Sequence, residues 1–364
     1  MKVLMFGNAK IKYMPYVNFY LENLDNGENE IHIIYWNRDL KEESMAFSEN
    51  VTMHEFSYFQ NDQCSKIKKI KSYYKLRRFA LKLMNREEFD FVVILDSLPG
   101  VLIIDKLNKY YKNKYIFDYR DSSYEWFQPY KKSIAKLATD SYVTFVSSDG
   151  FRKFFPEACQ NKIYTSHNLL LDSLNHRDDK KNKGIVSNKI RVSFWGFIRE
   201  KEINMKIIKA IALDDMLELH YYGREENIAQ ELKQYVSEHS IKNVFFHGEY
   251  KPEDRYNFIL ETDLIHNIYE SDNMMCAMPN KYYDGIVFRI PQICMSKSYM
   301  GQRVDKAQVG INYDPMNDDL CQIIKQYFKQ LDRNNFEKNC DIETEKILKE
   351  YNNGSIVVRN SVNM

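Results

Sequence analysis

A lysine and an aspartate stand three residues apart near the start of a predicted helix in the second half of the chain. The helix is predicted over residues 279–287 and opens at Pro279, so Lys281 and Asp284 share one face. Amides of a first helical turn have no intrahelical partner and suit a diphosphate. Lys281 could then contact phosphate while Asp284 accepts hydrogen bonds from a ribose diol. The alternative is an ordinary surface ion pair.

A second basic pair follows a strand predicted over residues 190–195. Gly196 permits the close approach of a ligand, and Arg199 and Lys201 come just before the next predicted helix. A guanidinium can donate to two phosphate oxygens at once, and an ammonium adds a point charge. The alternative is a pair of solvated loop cations, because exposed Lys and Arg are common.

Two more strand ends fall on the same predicted rim. Tyr222 and Gly223 close one strand, and the segment from His247 to Tyr250 closes another. A nucleobase could stack at these positions or be recognised there by backbone groups.

Charged side chains also follow a predicted strand in the first half of the chain. Asp118, Arg120 and Asp121 come after the apolar start of a strand predicted over residues 115–117. Asp121 is the first candidate for a general base or for a ligand of a sugar hydroxyl. Asp118 and Arg120 could line the same pocket, or could equally form a structural ion pair.

Other strands of this half also end in polar residues or glycine. Ser147, His167 and Asn168 lie at later strand ends on the same rim. An imidazole can move a proton near neutral pH, although a lone histidine is more often structural. Gly7 closes the first strand with a bend that would let a donor sugar approach.

The segment 66–86 contains nine basic residues and no acidic residue. Apolar residues are interleaved at roughly helical spacing, a pattern typical of a helix that lies on a membrane surface. The alternatives are a core-packed helix with a solvated basic face and a nucleic-acid patch, but no nucleic-acid-binding signature accompanies the segment. The cations assigned to an anionic membrane surface are Lys68, Lys69, Lys71, Lys75, Arg77 and Arg78.

Missing motifs exclude several kinds of chemistry. The twelve glycines include no Gly-x-Gly, and neither a P-loop nor a Gly-x-Ser-x-Gly elbow occurs. No Asp-x-Asp pair or histidine spacing suggests a metal site, so we predict no metal and no other cofactor. The six cysteines lie far apart and are interpreted as reduced thiols. The cytosol is therefore the expected compartment.

Short apolar runs alternate with amphipathic stretches along the chain, which predicts parallel sheets crossed by helices. A charged stretch at 171–189 predicts a linker between an N-terminal domain (1–170) and a C-terminal domain (190–364), whose final helix could pack back on the first domain. We expect an α/β protein with two doubly wound Rossmann-like domains facing across a cleft. Ligands of such domains bind beyond the carboxyl ends of the strands.

The order of these motifs resembles the GT-B glycosyltransferases, most closely the capsular and exopolysaccharide enzymes related to family 4. The second half carries the specific part of the resemblance, in Gly196-Phe-Ile-Arg199, Tyr221-Tyr-Gly223, Val244-Phe-Phe-His-Gly-Glu-Tyr250, Asp263-Leu-Ile265 and Pro279-Asn-Lys-Tyr-Tyr-Asp284, with Pro291 following. The first half adds Lys2-Val-Leu-Met-Phe-Gly7, Phe117-Asp-Tyr-Arg-Asp121, Val146-Ser-Ser148 and His167-Asn168. The match covers nearly the whole chain.

The resemblance implies that Asp284 holds the ribose of a nucleotide sugar, and that the segment 118–121 lines the acceptor or sugar pocket. One departure concerns the two glutamates that family 4 enzymes carry eight positions apart. This chain has Cys276 at the first place and Asp284 at the second. The anomeric outcome of a transfer is therefore left open.

These patterns predict a metal-independent hexosyltransferase that moves a sugar from a nucleotide-diphosphate donor to a lipid-linked saccharide. The expected setting is bacterial surface polysaccharide synthesis, in the cytoplasm and peripheral to the inner face of the cell membrane. Two alternatives stay open: a nucleotide-sugar epimerase of the same architecture, and a non-catalytic partner that keeps the fold.

Overall fold

The computed structural model describes residues 1–43, 46–61, 64–178 and 188–362. The chain divides into two compact units. Unit 1 contains Met1–His167 and Lys349–Met364, and unit 2 contains Asn168–Leu348.

Unit 1 is built on a parallel sheet of seven strands in the order β3-β2-β1-β4-β5-β6-β7. Its strands are β1 (Lys2–Phe6), β2 (Glu30–Asn37), β3 (Val51–Ser57), β4 (Phe91–Leu95), β5 (Tyr115–Tyr119), β6 (Val143–Val146) and β7 (Ile163–Thr165). Its helices are α1 (Val17–Leu24), α2 (Lys66–Arg86), α3 (Ser97–Leu102), α4 (Ile104–Tyr110) and α5 (Gln128–Asp140).

Unit 2 is built on a parallel sheet of six strands in the order β10-β9-β8-β11-β12-β13. Its strands are β8 (Ile190–Trp195), β9 (Leu217–Tyr222), β10 (Val244–Phe246), β11 (Leu264–Asn267), β12 (Gln292–Met295) and β13 (Gly310–Tyr313). Its helices are α6 (Lys201–Ile211), α7 (Asn227–Glu238), α8 (Arg255–Glu261), α9 (Asn280–Val287), α10 (Tyr299–Ala307) and α11 (Leu320–Gln330). The last helix, α12 (Arg333–Ser361), begins in unit 2 and ends in unit 1.

The central strands are buried over their whole length, which explains their continuous apolar runs. Every residue of β4, β5 and β6 is buried. A parallel sheet covered on both faces has no polar face, so strict alternation is absent from such strands. The predicted class, two doubly wound α/β domains, is therefore confirmed for both units.

Several predicted elements differ from the structure. The edge strand β3 was not predicted, because only one of its residues is buried and the apolar signal is weak. The predicted helix 98–111 is broken at Ile103, whose backbone is not helical. Within the predicted helix 148–155, Asp149–Phe154 form a 3-10 helix, and α10 was missed. In the predicted linker, Leu171–His176 forms a 3-10 helix, while 179–187 lie outside the described residues.

The end of α12 belongs to the core of unit 1. The ring of Tyr351 packs edge-on against Phe19 at 5.0 Å, and its hydroxyl donates to Glu22 at 2.8 Å. Val358 is fully buried.

In the described part of the chain, no helix combines the length and the apolar character that crossing a membrane requires. All six cysteines are free thiols, as expected, and all except Cys64 are buried.

Candidate functional site

Glycines lie at or just beyond the ends of three neighbouring strands of unit 2. Gly196 follows β8 and Gly223 follows β9, and the N–H of Gly223 donates to the carbonyl of Gly248 beyond β10 at 2.7 Å. The φ of Gly223 is +150°, and a Cβ there would lie 1.8 Å from the carbonyl oxygen of Gly196. Only glycine fits this position. The ends of β8 and β9 therefore approach each other closely.

Lys281 in the first turn of α9 is a buried cation. Its ammonium donates to the carbonyl oxygen of Trp195 at 3.1 Å and to the hydroxyl of Tyr269. It also lies 3.8 Å from the ring centroid of Phe194. None of the described residues offers Lys281 a carboxylate within ion-pair distance. A buried ammonium without a counter-ion is costly, and an anionic ligand would offset that cost.

The positive charge of Arg199 acts on the buried ammonium of Lys281. Burial, together with that charge, lowers the pKa of Lys281 to about 7, and the negative charge of Asp284 opposes the shift. The same guanidinium also acts to lower the pKa of Tyr269, although burial raises that pKa overall. Arg199 is exposed. The charge of Arg199 therefore reaches both Lys281 and Tyr269 in unit 2.

Asp284, one helical turn after Lys281, is also buried. Its Oδ2 accepts a hydrogen bond from the indole N–H of Trp195 at 2.9 Å. Its Oδ1 lies 3.7 Å from a guanidinium nitrogen of Arg255. Burial raises the pKa of Asp284, and the charge of Arg255 partly offsets that rise. The surface ion pair considered as the alternative for Lys281 and Asp284 is therefore wrong, since both side chains are buried.

Arg255 is a site residue that the sequence interpretation missed. It begins α8, is buried, and donates to the hydroxyl of Ser173 at 2.7 Å. Its Nε has no hydrogen-bond partner among the described residues. No spacing in the sequence relates Arg255 to Asp284, because the two lie on different helices. A basic residue in the first helical turn after a strand end was the only available signal.

Arg224 is a second cation that was missed. The ring centroid of Phe197 lies 4.6 Å from the guanidinium carbon of Arg224 and 5.2 Å from that of Arg199. Arg224 directly follows Gly223 and pairs with Glu226 at 3.2 Å. A single aromatic ring therefore supports two guanidinium groups at the ends of β8 and β9.

Lys201, in contrast, contacts a carboxylate. Its ammonium pairs with Glu231 on α7, and this hydrogen bond raises the pKa of Lys201. The preceding residue, Glu200, has φ +64° and accepts hydrogen bonds at 2.6 Å from the amide of Glu270 and from the hydroxyl of Ser271. Glu200 thus joins the loop after β8 to the loop before α9, whereas Lys201 contacts α7.

The two tyrosines on this rim have different surroundings. Tyr222 is stacked between His247 and Phe258, with ring centroids at 4.2 Å on each side. Both faces of its ring are covered, so the proposal that a base stacks on Tyr222 is wrong. Tyr250 contacts Phe258 edge-on at 4.9 Å. Burial raises the pKa of Tyr250 to about 12, and the nearby charge of Asp284 contributes.

In unit 1, Asp118 and Arg120 form a buried ion pair at 2.9 Å. The guanidinium also donates to the carbonyl oxygen and the hydroxyl of Ser166, each at 2.9 Å. Asp118 is fully buried. Of the two alternatives left open for this pair, the structure favours the structural ion pair.

Asp121 remains exposed, and it lies close to a carboxylate that was missed, Asp96. Asp96 follows β4 with φ +82°, which is rare for a residue other than glycine. Its Oδ1 accepts from the amide of Ser97 at 2.6 Å. Burial, together with the negative charges of Asp121 and Asp118, raises the pKa of Asp96 to about 7. The strand-end rule that selected Asp121 would have selected Asp96 as well.

The other first-half candidates have protein partners. Ser147 is buried and donates to the carbonyl of Arg120 at 2.6 Å. The Nε2 of His167 lies 2.7 Å from a carboxylate oxygen of Glu350 on α12, which fixes the orientation of the imidazole. Asn168 belongs to unit 2 and donates to the carbonyl of Met278 at 3.0 Å.

Gly7, predicted to close the first strand with a bend that lets a donor sugar approach, faces Met14. A Cβ on Gly7 would lie 2.5 Å from the sulfur of Met14. The absence of a side chain at Gly7 therefore accommodates Met14 in the core, and its role beside a donor sugar stays a prediction.

Comparison with solved structures shows which fold the chain has. No model of a protein family matches the chain, and no curated sequence matches it. Sucrose-phosphate synthase from Thermosynechococcus elongatus matches with a TM-score of 0.72 at 11% identity, over 99% of this chain and 97% of that one. HepE from Anabaena, solved with UDP and glucose, matches with a TM-score of 0.66 at 12% identity, over 100% and 98%. The lipopolysaccharide outer core galactosyltransferase WaaB matches with a TM-score of 0.59 at 14% identity, over 100% and 98%.

The chain has the GT-B fold. The glycine rim, Arg199, Lys281 and Asp284 all lie in the second of its two Rossmann-like units, where sequence patterns placed the donor site. The finer assignments to family 4 and to the capsular enzymes stay predictions.

The basic segment forms one helix, α2, in the first unit of this GT-B fold. Lys68, Lys71 and Arg78 are exposed, whereas Lys69 is half-buried. Arg77 donates to both carboxylate oxygens of Asp105 at 2.9 Å, so its assignment to a membrane surface is corrected. The ammonium of Lys75 lies 4.1 Å from the ring centroid of Tyr58.

Proposed function

We propose that this protein is a glycosyltransferase that uses a nucleotide-diphosphate sugar as donor. The observation that carries the proposal is the buried ammonium of Lys281 at a glycine-lined strand rim, where the charge of exposed Arg199 acts on it. Like charges repel, and a bound diphosphate would attract both cations. The GT-B fold supports the same assignment.

In this mechanism the donor diphosphate binds between Arg199, Lys281 and the first turn of α9. A hydroxyl oxygen of the acceptor forms a bond to the anomeric carbon, and the bond from that carbon to the phosphate oxygen breaks. Arg199 and Lys281 stabilise the negative charge that develops on the leaving diphosphate. The hydroxyl proton passes to a carboxylate of unit 1, for which Asp121 is the candidate. We propose no metal and no further cofactor.

We retain Asp284 as the ribose ligand in this proposal. Its carboxylate has Trp195 and Arg255 as partners, and the hydroxyl of Tyr250 lies close by. The charge of Arg255 favours the ionised carboxylate, which is the form that accepts two hydrogen bonds from a diol.

The acceptor that we propose is a lipid-linked saccharide in bacterial surface polysaccharide synthesis. Its support is α2, whose exposed lysines could bind the inner face of the cell membrane. The GT-B structures that match this chain include a galactosyltransferase of the lipopolysaccharide outer core. On this basis we assign the protein to the cytoplasm, peripheral to the membrane.

Donor binding is tested by thermal shift with UDP-, GDP-, ADP- and CMP-sugars. A ligand at 100 times its dissociation constant stabilises a protein by about 2.7 kcal/mol, which is easily measured. We expect one nucleotide class to raise the melting temperature of the wild type and to lose that effect in Arg199→Ala. The exposed residue Arg359 supplies the control variant Arg359→Ala. No shift with any of the four classes would contradict the proposal.

Turnover is tested by incubating donor and protein with and without cell-derived lipid acceptor. A glycosyltransferase releases nucleoside diphosphate in proportion to glycosylated lipid, and only with acceptor. A new nucleotide sugar formed without acceptor would identify an epimerase instead. Binding without any turnover would identify a non-catalytic partner.

A further inference from the structure

Trp126 and Phe127 are adjacent aromatic residues whose side chains face solvent. They are 77% and 52% exposed, and their ring centroids lie 6.1 Å apart just before α5. The other two tryptophans of the chain, Trp36 and Trp195, are buried. Large apolar side chains exposed together are typical of an interaction surface.

Hydrogen bonds hold the backbone of the loop that carries this aromatic pair. Glu125 is buried, and its carboxylate accepts hydrogen bonds from the hydroxyl of Tyr119 at 2.7 Å and from the amide of Ser123 at 2.5 Å. The amide of Phe127 donates to the carbonyl of Tyr124 at 2.8 Å. The exposure of the two rings is thus a property of an ordered loop.

The same loop contacts the basic helix α2. The hydroxyls of Tyr124 and Tyr73 lie 3.3 Å apart. On α2, Ile67, Ile70 and Tyr74 are 80%, 67% and 59% exposed. Their spacing of three and four residues places them on one face of the helix. An apolar stripe of α2 therefore accompanies the aromatic pair on unit 1.

Exposed cations lie on the same two elements as these apolar groups. Lys68, Lys71 and Arg78 are exposed on α2, and no carboxylate of the described residues pairs with them. Lys131 and Lys132 are exposed in the first turns of α5, directly after the aromatic pair. Apolar side chains interleaved with cations complement the interface of an anionic bilayer, where phosphates lie above acyl chains.

We propose that unit 1 binds an anionic lipid bilayer through two elements, the stripe of α2 and the aromatic pair Trp126–Phe127. Tryptophan favours the headgroup region, where its ring is half in water and half in hydrocarbon. Two anchors on different elements fix an orientation that a single helix does not. The inference deepens the proposed function and rests on it in one respect: Asp121, five residues before Trp126, would lie near a lipid-linked acceptor.

The test is flotation of the full chain with vesicles, in the absence of donor. Vesicles of phosphatidylcholine are compared with vesicles that also contain 30% phosphatidylglycerol. We expect binding to the anionic vesicles alone, and a loss of about tenfold in the double variant Trp126→Ser/Phe127→Ser. The control is Leu213→Ser/Met316→Ser, which removes two residues of unit 2 that are 90% and 89% exposed. Equal loss in the control would overturn the inference.

Tryptophan fluorescence gives a second readout, which the wild-type protein itself supplies. Because Trp36 and Trp195 are buried, the solvent-exposed emission comes from Trp126. We expect a blue shift on binding and quenching by lipids brominated on the acyl chain. Trp126→Phe should keep binding and lose both signals. Protein that floats without a change in Trp126 emission would exclude the aromatic pair as an anchor.

The outcomes separate this inference from the proposed function. Vesicle binding without sugar transfer would support the surface and contradict the enzyme. Transfer to a water-soluble saccharide without vesicle binding would support the enzyme and overturn the surface. A blue shift with a purified protein partner but not with vesicles would identify a protein interface and overturn the bilayer.

Discussion

Arg199 and Lys281 carry the same charge within one site but in different surroundings. Arg199 is exposed, whereas Lys281 is buried among Phe194, Tyr269 and the carbonyl of Trp195. The exposed cation is available for first contact with a diphosphate. The buried cation changes its protonation when a negative charge arrives, because burial has lowered its pKa.

Arg199→Ala should lower the rate of sugar transfer roughly ten- to a hundredfold and leave the fold intact. A charge-assisted hydrogen bond contributes about 1.5–3 kcal/mol, and the exposed side chain makes no packing contact that the fold requires. Steady-state kinetics and circular dichroism check this prediction. Arg359→Ala should behave as the wild type, and unchanged kinetics in Arg199→Ala would remove Arg199 from the site.

Donor binding should be accompanied by proton uptake at Lys281. Its pKa in the ligand-free protein is about 7, so at pH 8 the amine is mostly neutral. A bound diphosphate raises that pKa, so the complex takes up as much as one proton and affinity falls as pH rises from about 7 to about 9. Calorimetry at pH 8 in two buffers of different ionisation enthalpy measures the uptake. Lys281→Met should abolish it, and uptake that survives in this variant would assign the proton to another group.

At the scale of elements, the rim of unit 2 depends on how closely its strands approach. The carbonyl of Gly196 occupies the space that a side chain at Gly223 would need. Two helices complete the site: α9 supplies Lys281 and Asp284, and α8 supplies Arg255. The site therefore requires both the close packing of the strand ends and the pairing of α8 with α9.

Gly223→Ala should destabilise unit 2 far more than Gly248→Ala. Both glycines have positive φ, but the added Cβ would clash only at Gly223, where an oxygen lies 1.8 Å away, and would meet nothing within 4 Å at Gly248. We expect about 1 kcal/mol at Gly248 from backbone strain and several times that at Gly223. Chemical denaturation of both variants measures the difference, and equal losses would contradict the close approach.

Removing Arg255, the cation next to Asp284, should also lower the stability of the fold. Arg255→Met leaves a buried carboxylate without its partner, which typically costs about 3–5 kcal/mol of folding free energy. The double variant Arg255→Met/Asp284→Asn removes both charges and should recover much of the loss. Urea unfolding of the two single variants and the double variant provides the coupling energy. Additive losses would show that the two groups do not interact.

At the scale of the whole molecule, the chain crosses back from unit 2 to unit 1 in α12. The described residues from 349 onward belong to unit 1, and Tyr351 contacts Phe19 and Glu22 on α1. The stability of the N-terminal unit therefore depends on the last residues of the chain.

Tyr351→Ala should accordingly loosen α1. Loss of the aromatic contact and the hydrogen bond should cost about 2–4 kcal/mol, by analogy with other large-to-small changes. Hydrogen exchange followed by mass spectrometry should show faster exchange in Val17–Leu24. Ile356→Ala is the control, because that side chain is half-exposed on the same helix. Unchanged exchange in α1 would contradict this role of α12.

The alternation of apolar runs and amphipathic stretches was enough to predict two doubly wound α/β units, because each run is a local property. Strand ends followed by Arg199, Lys281 or Asp121 were visible for the same reason. The edge strand β3 was missed because most of its side chains are not buried, so it lacks the apolar run of a central strand.

Other features were decided only by tertiary structure, because they depend on residues far apart in the chain. The partnership of Arg255 with Asp284, the covering of Tyr222 on both faces, and the space that Met14 takes beside Gly7 are of this kind. The burial of Lys281 was also decided by tertiary structure, because aromatic rings from two strand ends exclude water from its ammonium. Sequence determined which groups stand at strand ends, and packing decided which of them are charged, buried or exposed.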